Sequence, residues 1–144
     1  MRVDFYQLSH DPVEVAVAKL AASAMAAGQR MLVVAQDGAL MKRIDDGLWA
    51  HQRAFLAHGA AGAGDEDRQP ILLSREVVPA NGAKFLVIAD GQWREEAQGF
   101  ERTFFVFDEP TVHAPRQQWR QLGQDEGIER KFWKQEDGKW IMAA

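Results

Sequence analysis

Cysteine is absent from this chain, which removes disulfides, thiolate zinc sites, iron-sulfur clusters and a thiol nucleophile together. That is compatible with a reducing compartment, and the cytoplasm is the expected location. Long apolar runs are missing too. No stretch approaches the roughly 18 residues of a spanning helix, and the N-terminal MRVDFYQLSHD lacks a basic region leading into an apolar one. Neither membrane insertion nor secretion is expected. Positive charge is outnumbered, 17 Lys and Arg against 21 Asp and Glu, for a net charge of −4. This disfavours the broad basic field that sequence-independent phosphate binding needs, so no direct duplex DNA binding is expected.

Signatures of catalysis and of cofactors are equally thin. The turn after the first β-run is SHDP, with no glycine to let a pyrophosphate approach the backbone. The run Gly59, Gly62, Gly64 lacks the Gly-Lys-Ser/Thr ending of a phosphate loop. His10, His51, His58 and His113 are scattered and show no i, i+4 pairing of the kind that marks a zinc site. The serines, Ser9, Ser23 and Ser74, form no nucleophile elbow. The acids gather in pairs such as Asp45-Asp46 and Glu95-Glu96, the pattern of solvated faces. The expectation is a chain that is not an enzyme and holds no metal or cofactor.

What the chain does contain is enough to fold. With 144 residues, 47% of them hydrophobic, it has the material for one core, read as a single domain over 1–144. RVDFYQL alternates like a strand, and Asp11-Pro12 opens a helix over Val13 to Ala27 that stops at Gly28. QRMLVVAQ reads as a strand buried on both faces, and Asp37 caps a second helix reaching about Trp49, with Leu40, Ile44 and Leu48 on its inner side. Ala57 to Gln69, rich in small and charged residues, reads as an exposed loop. PILLS and KFLVIA follow as strands, the second central. Then come a turn and short helix over Asp90 to Ala97, the β-run ERTFFVFD, and a last helix near Val112 to Gln124. ERKFWKQ and KWIM close the chain as an aromatic hairpin about Asp137-Gly138. The fold class is therefore α/β: a three-layer, mostly parallel open sheet with helices on both faces and a C-terminal hairpin at its edge, Rossmann-like but without the nucleotide motif.

Two clusters stand out as docking surfaces. Trp49, Phe55, Leu56 and His58 follow the second helix, whose inner side is already supplied. They either plug the end of the core or serve as anchors of the kind enriched at binding hot spots. In the last helix, His113, Arg116 and Arg120 fall at i, i+3 and i+7 beside Trp119, and no Asp or Glu lies between Pro110 and Gln124. A guanidinium fork near a helix start suits an anion such as the end of an acidic peptide.

These residues, in this order, resemble the chi subunit of bacterial DNA polymerase III across essentially the whole chain. The resemblance rests on Phe5-Tyr6-x-Leu8, Gly28-x-Arg30-x-Leu32-Val33, Leu48-Trp49 with Phe55-Leu56-x-His58, Phe100-Glu101-Arg102 leading to Phe107-Asp108, and Arg116-x-x-Trp119-Arg120 before Gly127 and Trp133. It implies a noncatalytic accessory subunit of the replicative polymerase with two partners. One is the acidic C-terminal tail of single-stranded-DNA-binding protein, held by Arg116, Trp119 and Arg120 with Phe107 as a wall. The other is the psi subunit of the clamp loader, or a helicase-like substitute, met by Trp49, Phe55, Leu56 and His58. The chain departs from the family pattern in a shortened lead over Glu109 to Pro115, in Ala57 where proline is common, and in its own loop from Gly59 to Arg68. The alternative is a nucleotide-binding or enzymatic α/β domain using the switch point of the sheet. A third reading, direct single-strand binding through Trp133, Trp140, Lys131 and Lys134, requires those aromatics to be exposed.

Overall fold

The computed structural model describes residues 1–51, 55–108, 113–136 and 139–144, with His113 described in its backbone alone. Strands β1 (Arg2–Leu8), β2 (Met31–Val34), β3 (His58–Ala60), β4 (Ile71–Ser74), β5 (Phe85–Ile88), β6 (Arg102–Asp108), β7 (Glu129–Glu136) and β8 (Lys139–Met142) form one sheet. Their order is β3-β4-β2-β5-β6-β1-β7-β8. Among the described residues every pairing is parallel except β7 with β8, which is antiparallel. KFLVIA supplies β5, fourth of eight, the central position its composition demands.

Helices α1 (Val13–Ala26) and α2 (Gly38–Ala50) cover one face, over Tyr6, Leu8, Met31, Val33, Val87, Phe104 and Val106. Helix α3 (His113–Leu122) and a short 3-10 turn (Glu95–Gly99) cover the other, over Val3, Phe5, Leu32, Val34, Leu86, Phe105 and Phe132. Successive residues of each strand thus serve opposite cores, as a pleat covered on both sides requires. Helix α1 ends in a Schellman arrangement in which Gln29 N–H reaches the Ala24 carbonyl and Gly28 N–H that of Met25, with Gly28 at φ 73°. Asp37 caps α2 by accepting from Ala39 N–H at 2.9 Å. Where the two helices meet, a Cβ added at Gly47 would stand 3.2 Å from the Glu14 carbonyl oxygen, so this glycine lets the backbones approach.

One expectation needs correction, and two elements keep their kind with shifted bounds. Part of the segment read as a loop is the edge strand β3, held by backbone pairing with β4 and therefore invisible to side-chain hydrophobicity. The turn and short helix expected over Asp90 to Ala97 are present with later bounds, the helix being a 3-10 turn at Glu95–Gly99 that seats Ala97 and Phe100 in the core. The last helix ends at Leu122 rather than Gln124. Residues 109–112 and the hairpin turn at 137–138 lie outside the described residues. Trp133 and Trp140 are partly buried against the α1/α2 core.

A carboxylate ties three strands together. Asp4 of β1 is fully buried and accepts from Arg2 Nη2 (3.0 Å), Arg102 Nε (2.8 Å) and Trp133 Nε1 (3.1 Å). Removing it strands two guanidinium groups, each about a third exposed, and an indole N–H inside the sheet. Asp4→Ala is expected to cost about 3 kcal/mol, the lower end for breaking a buried pair, because both arginines can rehydrate. Urea unfolding checks this as a lowered midpoint at unchanged m-value.

Candidate protein-binding surfaces

Helix α3 turns Pro115 and Leu122 fully inward and Trp119 partly so. Its i, i+3, i+4 and i+7 positions, Arg116, Trp119, Arg120 and Gly123, form one arc along its flank. The Trp119 indole stands edge-on to Phe5 of β1 (centroids 5.2 Å, planes at 83°) and to Phe132 of β7 (5.6 Å, 84°). Phe5 and Phe132 stack on each other at 5.8 Å, so the indole meets a two-ring floor. Arg116 and Arg120 are exposed, with no ion-pair partner among the described residues. Phe107 is buried, its ring against Phe5, Phe105 and Phe132. It backs the floor beneath Trp119 and does not reach the surface. The side chain of His113 lies outside the described atoms.

Arg130 escapes a reading of the helix alone. It lies on β7, yet its guanidinium sits 4.0 Å above the Trp119 ring and Nη1 donates to the Trp119 carbonyl. The signal was available in the alternation of ERKFWKQ, which puts Arg130 on the same sheet face as Phe132.

The other cluster gathers where the end of α2 meets the β3 edge. Trp49 is 59% and Phe55 73% exposed, their rings 6.0 Å apart. Trp49 also lies 4.6 Å from the His58 imidazole. That imidazole is buried: Nδ1 donates to the Leu56 carbonyl (2.8 Å) and Nε2 meets Asp45 Oδ1 at 2.5 Å. Leu56, 1% exposed, belongs to the α1/α2 core. Of the four residues, two form the surface and two lie beneath it. Asp45 was missed by sequence reading, although it precedes Trp49 by four residues on α2 and so shares its side.

An open α/β domain carrying two exposed aromatic or basic patches, one per face of the sheet, has the makings of an adaptor. A family model describing the DNA polymerase III chi subunit, HolC, matches residues 1–141. The chain therefore belongs to the DNA polymerase III chi subunit family, a noncatalytic accessory subunit of the holoenzyme with a role in DNA replication. No curated protein matches it. No helix among the described residues is long and apolar enough to cross a membrane.

The switch point, where open α/β sheets commonly bind ligands, falls between the carboxyl ends of β2 and β5. Asp90 occupies it. Its carboxylate receives both terminal nitrogens of Arg94 at 2.9 Å, the Gln36 N–H at 3.0 Å and the Gln92 N–H at 3.2 Å. A neighbouring cavity of about 280 Å³ is lined by Val13, Asp37, Arg43, Asp90 and Phe107 among others. Neither it nor the two larger cavities near Arg75 touch Arg116, Trp119 or Arg120. Burial works to raise the Asp90 pKa, but the Arg94 fork and the two backbone donors outweigh it and hold the carboxyl below its ordinary value. A depressed folded-state pKa stabilises the fold above the ordinary carboxylate value, near pH 4, and that contribution disappears as pH falls through the folded value. Asp90→Asn is expected to unfold about 2 kcal/mol more easily at pH 7. In urea titrations at stepped pH, the gap from the parent protein should narrow only below about pH 4.

Proposed function

We propose that this chain tethers the replicative polymerase to coated single strands by holding the acidic C-terminal tail of single-stranded-DNA-binding protein along the flank of α3. Arg116 and Arg120 pair with the carboxylates of the tail, and Trp119 supplies an apolar contact for its terminal aromatic residue. The observation that carries this reading is the arc itself: two exposed arginines without ion-pair partners among the described residues, set beside an indole held by the sheet. On an otherwise acidic molecule the stretch between Pro110 and Gln124 contains no carboxylate, so the local field attracts an acidic peptide.

The exposed Trp49 and Phe55 are the proposed anchors for the second partner, the psi subunit of the clamp loader or a helicase-like substitute. His58 and Asp45 hold Trp49 from below, and Leu56 secures the segment to the core. Large exposed rings over a hydrogen-bonded base have the composition of an interface hot spot.

Affinity for an acidic, Phe-terminated peptide should fall by about 2 kcal/mol in Arg116→Ala, the scale for truncating a hydrogen-bonded charge partner, and should weaken as salt rises. Fluorescence anisotropy reads both effects, and unchanged binding would remove Arg116 from the site. Trp49→Ala should leave that affinity intact while abolishing capture of the second partner in a pull-down.

A further inference from the structure

Of the three arginines around Trp119, two are unrestrained and one is locked. Arg116 and Arg120 have no ion-pair partner among the described residues and must give up side-chain freedom to bind anything. Arg130 has already done so. Its guanidinium lies over the indole at 4.0 Å, and Nη1 is spent on the Trp119 carbonyl. No partner for Nη2 or Nε is found among the described residues. Those two nitrogens are donors on a planar group whose orientation is fixed by stacking, the geometry that recognises a carboxylate in bidentate fashion.

The chain makes room for this placement. A Cβ added at Gly123, one turn beyond Trp119 on the same arc, would fall 2.5 Å from Arg130 Cζ, 2.6 Å from Nη2 and 2.7 Å from Nη1. Gly123 thus keeps open the slot in which the guanidinium rests. Its φ is not in the left-handed region, and the nearest atoms that an alanine Cβ there meets are those of the guanidinium.

We infer that Arg130, stacked on Trp119 in the slot left by Gly123, is the specificity-determining residue that recognises the free terminal carboxylate of a bound acidic peptide. Arg116 and Arg120 meet the carboxylates further back along that peptide. This inference rests on the tail-binding function proposed above. It assigns discrimination between a free C-terminus and an internal acidic stretch to one residue that lies outside the helix. A purely structural role also exists for Arg130, since a cation near the last turn of α3 favours the helix dipole. That role does not depend on the chemistry of a ligand's end.

The test uses one acidic peptide ending in Phe, made with a free carboxylate and with a C-terminal amide, titrated by anisotropy against the full chain and its variants. The parent protein is expected to prefer the free acid roughly tenfold, the value of one charge-assisted fork. Arg130→Ala and Gly123→Ala should both bind acid and amide alike, the second while retaining every charge. Arg116→Ala should bind both more weakly but keep the preference. Thermal unfolding of each variant, with α3 intact by circular dichroism, separates recognition from misfolding. Persistence of the preference in Arg130→Ala or Gly123→Ala, or no preference in the parent, overturns the inference and leaves the tail-binding function standing. Failure of the parent to bind either peptide overturns both.

Discussion

Everything on the flank of α3 depends on how one indole meets the sheet. Trp119 stands edge-on to Phe5 and Phe132, which stack face to face across β1 and β7. Such aromatic contacts combine large buried area with a geometric preference, so they fix both the height and the rotation of the helix. Once Trp119 is seated, 3.6-residue periodicity places Arg116, Arg120 and Gly123 along the outer flank. Arg130 then stacks on one face of the ring from the strand β7. The same ring that anchors the helix also organises its charges.

The doubly wound topology sets the two surfaces apart. Trp49 lies at the end of α2 beside β3, the first strand of the sheet, whereas Trp119 packs on β1 and β7 from the opposite face. A molecule proposed to join two partners needs its docking sites far enough apart to be occupied together, and this arrangement provides that without a second domain. The two surfaces also differ in chemistry. The α3 flank is cationic and so sensitive to salt, while the Trp49 and Phe55 patch is apolar over a hydrogen-bonded base.

Much of the fold could be read from residue order. The alternation in RVDFYQL, the β-branched run in MLVV and the helix stop at Gly28 each express a local rule, and local rules survive without knowledge of the rest of the chain. The features that escaped depend on distant partners. Asp4 breaks the apolar pattern of β1 because Arg102 and Trp133, 98 and 129 residues away, satisfy it. His58–Ala60 forms a strand through backbone pairing alone, so its glycine and alanine gave no sign of one. Leu56 and His58 were grouped with Trp49 and Phe55 as one surface, but spacing cannot distinguish a side chain that faces outward from one that supports it. Arg130 joins Trp119 only once α3 is known to cover its face of the sheet.

The contact surface proposed for an acidic peptide terminus is the indole on α3 with the arginines around it. A titration of the isotopically labelled chain with such a peptide, followed by amide and indole N–H resonances, locates the surface residue by residue. Shifts are expected to concentrate at the Trp119 indole, along Arg116 to Gly123 and at Arg130, with Trp49 and Phe55 unmoved. Shifts centred on Trp49 and Phe55, or on the Asp90 crevice, with Trp119 silent, would contradict this assignment.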